Sequence, residues 1–206
     1  MPKITSEDYQ DYVIKDGKFI GAFEEMYRDC SDPWHQDSTQ SLAEDIGLLL
    51  LSKQHYGRVL DVGCGKGRFT NRLKSVTSAS VTALDISPTA IRVAKSRYPD
   101  IEFLVADVPP LRFPDESFDL VVSAELLWYV LPHLSELFAE IKRVLKPAGH
   151  YLIIQQFYKS EQQKYGKEIM QTPEDLIEML PFSLMQHVEL DRLSNHKLVT
   201  LVGKAR

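Results

Sequence analysis

The sequence is poor in cysteine and contains no long apolar run. Its two cysteines, Cys30 and Cys64, stand far apart and do not have the spacing of a disulfide framework. No segment approaches the roughly 20 apolar residues that span a membrane, and the N-terminus lacks the basic and apolar regions of a secretory signal. We therefore expect a soluble, cytoplasmic protein without membrane association.

Clusters of lysine and arginine are also absent, and the formal net charge is −5 at pH 7. Proteins that bind nucleic acids commonly carry a basic stripe that neutralises phosphates, so the composition argues against DNA or RNA as a partner. Internal repeats and low-complexity segments are missing as well. With 206 residues, of which 26% are charged and 44% hydrophobic, the chain is predicted to form one globular domain.

The most informative segment that is present is a short apolar strand, 59–62, which runs directly into three glycines at alternate positions. Gly63, Gly65 and Gly67 can adopt positive φ, and without Cβ atoms they let a ligand approach the backbone. The helix that follows offers unpaired N–H groups to an anionic group. The segment therefore predicts a nucleoside-binding strand, turn and helix. A dinucleotide fingerprint needs Gly-x-Gly-x-x-Gly or Ala, whereas Arg68 occupies its last position here.

Two further predicted strands end in acidic residues. The run 81–84 is followed by Asp85, and the run 101–106 is followed by Asp107. An acid at the first of these positions can accept hydrogen bonds from ribose hydroxyls, so Asp85 is the predicted ribose ligand. Each acid alone could equally cap the helix that follows it. The ordered series of a glycine turn and two strand-end acids favours the nucleoside site.

Together with the segments 113–123 and 146–154, these motifs resemble class I S-adenosylmethionine-dependent methyltransferases over about residues 57–156. The resemblance implies an α/β, Rossmann-like fold whose seven-stranded, mostly parallel sheet has the order 3-2-1-4-5-7-6 and helices on both faces. It also implies S-adenosylmethionine as cofactor, S-adenosylhomocysteine as product, Asp107 beside the adenine amino group, and no metal. The cofactor-binding residues that it implies are Asp61, Gly63, Cys64, Gly65, Gly67, Asp85, Ile86, Asp107, Val108, Ala124 and Glu125.

We predict three parts within a single methyltransferase domain. Residues 1–56 form an N-terminal helical lid over the cofactor cleft, residues 57–156 form the cofactor-binding core, and residues 157–206 add substrate-side helices and C-terminal antiparallel strands. The helices predicted for the lid are Ala22–Arg28 and Ser38–Gln54, the second with Leu42, Ile46, Leu49 and Leu50 at helical spacing.

Helices and strands alternate through the core, which predicts a parallel sheet with ligands beyond the carboxyl ends of its strands. The predicted strands are 58–62, 80–85, 101–106 and 118–123, and the predicted helices are 66–75, 88–96 and Pro132–Leu145, the last ended by Pro147 and Gly149. Beyond the core the predicted elements are a polar helix at Glu161–Glu168, a capped helix start at Thr172, and strands Ser183–Leu190 and Lys197–Gly203 around a turn at Ser194-Asn195.

Methyl transfer from a sulfonium requires mainly that the acceptor atom lies in line with the methyl group. A general base helps when the acceptor is a hydroxyl or a protonated amine. The segment after the fourth strand supplies the candidates Glu125, Tyr129 and His133, and His35 is a further acid–base candidate. Alternatively, His133 is merely an exposed helix residue. The Asp-Pro-Pro-Tyr and Pro-Cys signatures of enzymes that methylate adenine amines or cytosine C5 are absent, and Cys64 is expected to serve packing.

The segments 23–34 and 125–130 are similar to nodulation-type N-methyltransferases, which act on amino sugars of chitooligosaccharides. This similarity implies that Tyr27 and Trp34 help to close the cofactor site and that the acceptor is a saccharide or a similar polar small molecule. The polar aromatic run 155–158 is then expected to line the acceptor pocket. Trp34 could instead simply pack the lid onto the core.

The predicted function is S-adenosylmethionine-dependent methyl transfer to N or O of a small polar acceptor, such as a saccharide or an amino sugar. Two alternatives stay open. One is a catalytically silent binding protein with the same fold, and the other is an NAD-dependent oxidoreductase, which would favour Gly or Ala at position 68. The methylated atom and the oligomeric state are not determined by the sequence.

Overall fold

The structure is a computed structural model that describes residues 8–37, 39–158, 163, 165–191 and 196–205. The helices are α1 Gln10–Val13, α2 Phe23–Asp29, α3 Leu42–Leu51, α4 Arg68–Thr77, α5 Pro88–Arg97, α6 Leu134–Val144 and α7 Pro173–Met179. The strands are β1 Ile14–Lys15, β2 Lys18–Phe19, β3 Arg58–Val62, β4 Ser80–Asp85, β5 Glu102–Val105, β6 Phe118–Ala124, β7 Leu145–Tyr158, β8 Phe182–Asp191 and β9 His196–Ala205. Two short 3₁₀ turns, Leu127–Tyr129 and Leu131–His133, join β6 to α6.

The main sheet has the order β5-β4-β3-β6-β7-β9-β8. Strands β3 to β7 run parallel, and β9 pairs antiparallel with both β7 and β8. The predicted α/β, Rossmann-like architecture with a parallel sheet is confirmed, and five of the strands are parallel. The chain adds β4 and β5 on one side of β3 and then returns to the other side with β6. This reversal creates the switch point at which α/β sheets bind ligands.

The sheet is covered on both faces because successive strand residues alternate between them. Leu60 and Val62 join one apolar cluster with the inward face of α6, whereas Val59 joins a second cluster with residues of α4 and α5. The buried stripe predicted for α6 is confirmed: Leu134, Leu137, Phe138, Ile141 and Val144 are all buried. Parallel strands covered on both faces are mostly apolar, which fits Val59, Leu60 and Val62. The buried Asp61 between them accepts a hydrogen bond from Thr70.

The end of α6 differs from the prediction. The helix begins at Leu134, after a 3₁₀ turn, and ends at Val144, before Pro147 and Gly149. Leu145 already pairs with Phe118, and the next registered pair is Leu120 with His150. The residues between them form an irregular step inside β7, where Pro147 lacks an N–H group for the ladder.

Helix α3 is shorter than predicted, and two of the residues at helical spacing are exposed. It spans Leu42–Leu51, and the Ser41 hydroxyl caps it by accepting a hydrogen bond from the Glu44 amide. Leu42 and Leu49 are 53% and 62% exposed, so the leucine spacing identifies the helix but not its buried side. Gly47 lies against the sheet instead, where an added Cβ would be 3.0 Å from Ile154 Cδ1. The glycine lets the helix approach β7 closely, and this contact decides the orientation.

Some of the elements predicted for the C-terminal part of the chain lie within the described residues and can be compared with the structure. The capping box at Thr172 is confirmed, because its hydroxyl accepts from the Asp175 amide and the Asp175 carboxylate accepts from the Thr172 amide. The turn at Ser194-Asn195 lies outside the described residues. The predicted helix Glu161–Glu168 is wrong over its described residues, 163 and 165–168, which form coil, a bend and a turn. Within the described ranges, no helix has the length and hydropathy needed to cross a bilayer.

Gly67 is the position at which we expect the fold to tolerate a side chain least. Its φ is +80°, and an added Cβ would lie 2.7 Å from Phe103 Cζ and 3.2 Å from Ala94 Cβ. We expect Gly67→Ala to lower the free energy of unfolding by about 1–3 kcal/mol, measured by urea denaturation. The control is Ser75→Ala on the exposed face of the same helix, α4. Equal urea midpoints for the two variants would show that this packing is not needed.

Candidate active site

A cavity of about 580 Å³ opens beyond the carboxyl ends of the parallel strands. This volume lies within the range of small-molecule sites. Because β5 and β7 lie on opposite sides of β3 and neighbouring strands are about 4.8 Å apart, the cavity has two ends. We call them the β4–β5 end, with Asp85, Ile86, Asp107 and Val108, and the β6–β7 end, with Glu125, Tyr129, Gln156 and Tyr158.

Most residues predicted for the site line this cavity, including those from the N-terminal part. The lining residues among them are Tyr27, Trp34, His35, Gly63, Asp85, Ile86, Asp107, Val108, Ala124, Glu125, Tyr129 and His133. Asp61 and Cys64 line a small adjoining cavity of about 30 Å³, which Gly63 and Glu125 also border.

The three glycines of the turn have positive φ angles of 83°, 54° and 80°, but they have different surroundings. Gly63 lines the cavity, and its amide donates to Leu84 O at 2.8 Å. Gly65 lies under the N-terminal segment, where an added Cβ would be 2.8 Å from Tyr27 Oη. Gly67 contacts Phe103 in the core. The turn therefore combines ligand access at its first glycine with close packing at the other two.

Asp85 fastens this turn to the start of α5. Its carboxylate accepts from the Gly65 amide at 2.8 Å and from the Ser87 amide at 2.9 Å, while the residue is 9% exposed. Burial raises the pKa of Asp85, although both hydrogen bonds oppose that effect. Each carboxylate oxygen keeps a further lone pair, so both can also accept a hydroxyl from the cavity.

Asp61 and Cys64 are both buried, and neither lines the large cavity. The Asp61 carboxylate accepts from Thr70 Oγ1 at 2.6 Å, and burial raises its pKa to about 7. Burial and the nearby acids raise the pKa of the Cys64 thiol well above its ordinary value. A thiol in such surroundings is a poor nucleophile at neutral pH.

The N-terminal segment lies beside the glycine turn through aromatic residues. The Tyr27 hydroxyl accepts from Trp34 Nε1 at 2.9 Å, and burial raises the pKa of Tyr27 well above its usual range. The Trp34 ring is 4.8 Å from that of Tyr9 and 5.6 Å from that of Tyr129, measured between centroids. Trp34 thus contacts both the N-terminal segment and the residues that follow β6.

Glu24 does not line the cavity but contacts the start of α5 beside it, and the sequence analysis missed it. Its carboxylate accepts from Ser87 Oγ at 2.5 Å, from the Thr89 amide at 3.0 Å and from Thr89 Oγ1 at 2.7 Å. Burial alone would raise the pKa of Glu24, but these hydrogen bonds outweigh it and lower the pKa. The contacts join α2 to the start of α5, beside Asp85. The local sequence does not predict these contacts, because Glu24 and its partners lie more than sixty positions apart in the chain.

Glu44 is a second residue that the sequence analysis missed. It is 7% exposed, and its carboxylate accepts from Arg68 Nη2 at 2.7 Å and from Arg72 Nη1 at 2.8 Å. Both Glu44 and Arg68 line the cavity. Arg68 Nε is the one buried side-chain donor without a hydrogen-bond partner among the described residues. An anionic ligand group could accept that hydrogen bond.

Glu125 stands in an uncommon backbone conformation at the end of β6, with φ of +57°. Its amide donates to Ile154 O at 2.7 Å, and its Oε2 accepts from the Gln156 amide at 2.8 Å. Burial raises the pKa of Glu125 to about 7, an effect that the Gln156 hydrogen bond opposes and nearby Glu44 reinforces. A carboxyl group with this pKa can exchange protons near neutral pH.

The run 155–158 does not line the acceptor side as a whole. Gln156 and Tyr158 line the cavity, whereas Gln155 and Phe157 are buried at 0% and 1% exposure. Strand alternation explains this correction. The Gln155 amide group instead accepts from the Leu127 amide at 3.0 Å and donates toward Glu125 Oε2 at 3.4 Å. It therefore supports the turn that carries Glu125.

The remaining acid–base candidates differ in their surroundings. Burial raises the pKa of Tyr129 well above its usual range, and Tyr9, Tyr158 and Glu125 add to this effect. The His133 side chain lies at the cavity rim, 59% exposed and 3.5 Å from Glu136. His35 lines the cavity but is exposed. Glu125 is thus the candidate that combines enclosure with a pKa near neutrality.

A family model described as a methyltransferase domain matches residues 60–153. The phthiotriol/phenolphthiotriol dimycocerosates methyltransferase of Mycobacterium leprae (strain TN) is 38% identical over 96 residues, which are 45% of this chain and 35% of that protein. The chain spans about a third to a half of the length of the curated relatives that it matches.

Two solved structures share the fold over most of their length. The N-methyltransferase NodS of Bradyrhizobium japonicum WM9, in complex with S-adenosylhomocysteine, has a TM-score of 0.70 at 23% identity, covering 84% of this chain and 92% of that one. The [4+2]-cyclase SpnF has a TM-score of 0.68 at 16% identity, covering 94% and 85%. At these identities the likeness concerns the fold alone, which does not fix the reaction.

The fold and the cavity define an α/β protein with a small-molecule cavity at the switch point of its sheet. Residues 60–153 match a methyltransferase domain and the chain shares the fold of NodS, so it is similar to the class I S-adenosylmethionine-dependent methyltransferases. The resemblance inferred from the glycine turn and the strand-end acids is confirmed, and the similarity to NodS is confirmed at the level of the fold.

Glu125 leads to a prediction about stability that needs no substrate. Its pKa in the folded protein, about 7, lies above its ordinary 4.5, so unfolding releases a proton between these values. This contribution to stability is complete below about pH 4.5 and is lost as the pH rises through about 7. We expect Glu125→Gln to reduce the fall in the free energy of unfolding between pH 5 and pH 8 by up to about 2 kcal/mol.

The measurement is urea denaturation at both pH values, with the exposed Glu178→Gln as control. Asp61 also has a raised pKa and loses stability over the same range, but it is present in both variants and cancels from their difference. The same pH dependence for Glu125→Gln and the control would contradict the raised pKa.

Proposed function

We propose that this chain transfers a methyl group from S-adenosylmethionine to a nitrogen or oxygen atom of a small acceptor. The observation that carries the proposal is one continuous cavity that reaches the strand-end acids Asp85 and Asp107, the glycine turn at Gly63, and Glu125. A cofactor at the β4–β5 end and an acceptor at the β6–β7 end would lie side by side. Proximity of this kind is the main requirement of a direct displacement.

The residues at the β4–β5 end suit the cofactor. Asp85 would accept the ribose hydroxyls, and Asp107, with Ile86 and Val108, would contact the adenine. Gly63, at the cavity wall with a φ of +83°, leaves its backbone open to a ligand. The partnerless Arg68 Nε would donate to the carboxylate of the methionine part. When bound, the cofactor supplies a methyl group that a sulfonium has already activated.

Glu125 is our proposed general base. It lies at the β6–β7 end, and its raised pKa of about 7 allows it to take a proton near neutral pH. The Gln156 amide and the strand contact to Ile154 hold it in place. Tyr129 would position the acceptor beside it, and His133 at the rim would exchange protons with solvent.

The N-terminal part would act as a lid over both ends of the cavity. Glu24 ties α2 to the start of α5 at the β4–β5 end, and Trp34 contacts Tyr129 at the β6–β7 end. The acceptor that we propose is a saccharide or amino sugar, which the aromatic rings and the Gln156 amide at the β6–β7 end would suit. The relatives carry the names of different acceptors, so this choice depends on the cavity and on the likeness to NodS.

The first test is a calorimetric titration with S-adenosylhomocysteine, with NAD as the control ligand. We expect S-adenosylhomocysteine to bind with a dissociation constant of about 1–100 μM, and NAD not to bind, because Arg68 occupies the position where a dinucleotide site favours Gly or Ala. Absence of S-adenosylhomocysteine binding would contradict the proposal and would favour a binding protein that retains only the fold. Binding of NAD alone would favour an oxidoreductase.

The second test concerns the ribose ligand. Asp85→Ala should weaken S-adenosylhomocysteine binding by about tenfold to a hundredfold, because it removes charge-assisted hydrogen bonds of about 1.5–3 kcal/mol. The control is Glu102→Ala, which removes an acid of β5 that hydrogen-bonds Thr82 away from the cavity. Circular dichroism checks that Asp85→Ala still folds without the bond from the Gly65 amide. An unchanged dissociation constant would rule out the ribose assignment.

A further inference from the structure

The β6–β7 end of the cavity carries an aromatic wall. We define this wall as Tyr9, Phe23, Trp34, Tyr129 and Tyr158, all of which line the cavity. Ring centroids are 4.8 Å apart for Tyr9 and Trp34, 5.6 Å for Trp34 and Tyr129, and 5.2 Å for Phe23 and Tyr129. The rings are inclined to each other by 41° to 78°, so they form a curved surface rather than a flat stack.

A curved aromatic surface attracts cations. Ring faces carry partial negative charge, and a cation within about 6 Å of a ring centroid gains about 0.5–2 kcal/mol. An uncharged apolar group would also pack against these rings. It would, however, lie against the Glu125 carboxyl and the tyrosine hydroxyls, and covering polar groups without giving them partners costs free energy.

The charged side chains that line the cavity also favour a positively charged ligand. Four acids line it, namely Glu44, Asp85, Asp107 and Glu125, against a single arginine, Arg68. The Arg68 guanidinium is paired with Glu44 at 2.7 Å. Among the described residues, no lysine or arginine side chain lines the β6–β7 end, and His133 lies at its rim. The field at that end is therefore set by Glu125.

We infer that the acceptor is an amine that enters the β6–β7 end as an ammonium cation, held between the aromatic wall and the Glu125 carboxylate. This inference rests on the proposed methyl transfer, whose acceptor class it narrows from nitrogen or oxygen to a basic nitrogen. An ammonium group has no lone pair with which to attack. One of its N–H bonds breaks, the electron pair stays on nitrogen, and the proton forms an O–H bond on the Glu125 carboxylate.

Recognition of the cation can be measured without knowing the rest of the acceptor. The probes are choline, which carries a trimethylammonium group, and 3,3-dimethyl-1-butanol, which has the same shape with carbon in place of the charged nitrogen. Both are titrated by calorimetry into protein saturated with S-adenosylhomocysteine. We expect choline to bind at least fivefold more tightly than the neutral alcohol, because only choline gains from the ring faces and the carboxylate.

Two variants test the source of this preference. Tyr129→Leu removes a ring of the aromatic wall, and Glu125→Gln removes the charge while keeping an oxygen for the Gln156 amide. Each should lower the preference for choline to less than twofold. The control is Tyr98→Leu, at the end of α5 and outside the cavity, which should keep the preference of the unchanged protein.

Equal or tighter binding of the neutral alcohol would overturn the inference and would favour an uncharged acceptor. Failure of both probes to saturate the site would also overturn it, since a cation site must hold choline. A protein that does not bind S-adenosylhomocysteine would contradict the proposed function instead. The probes would then be titrated into the free protein, where the same comparison decides the inference.

Discussion

The candidate site depends on one buried carboxylate, that of Asp85. Its two oxygens hold the Gly65 amide and the Ser87 amide, so it fixes the glycine turn relative to α5. The hydroxyl of the same Ser87 donates to Glu24, which carries the connection into α2. A continuous series of hydrogen bonds thus connects the glycine turn, the start of α5 and α2. A carboxylate engaged in this way is pre-organised, because little has to move when further hydroxyl donors arrive.

Whether a residue of the site could be predicted from the sequence depends on how far it lies in the chain from the residues that it contacts. The turn at Gly63 and the acid at Asp85 follow from local pattern, because each strand and the residue after it are adjacent in the chain. Glu24, Glu44 and Gln155 could not be found in this way, since their partners lie between about 24 and 65 positions away. The leucine spacing in α3 predicted a helix without showing which side is buried, and that side includes Gly47, which lies close to Ile154 of β7.

The two ends of the cavity differ in how they are built. At the β4–β5 end, the acids lie at the carboxyl ends of the edge strand β5 and its neighbour β4, and backbone amides hydrogen-bond the Asp85 carboxylate. At the β6–β7 end, Glu125 adopts a positive φ, and the buried amide of Gln155 supports its turn. Left-handed conformations of non-glycine residues persist only where their surroundings hold them, and they concentrate at functional sites. The protein maintains this conformation at Glu125, whose carboxyl group lies beside the aromatic wall.

The position of β9 between β7 and β8 affects how the sheet can assemble. Strand β8 precedes β9 in the chain, yet β9 is its partner in the sheet, so β8 has no place on the sheet until β9 has formed. The two strands are neighbours in sequence, and local hairpins close faster than distant pairs. The topology therefore favours docking of a preformed hairpin onto β7. Strands β3, β4 and β5, which carry the β4–β5 end of the cavity, can pair in the order of synthesis, before the hairpin docks.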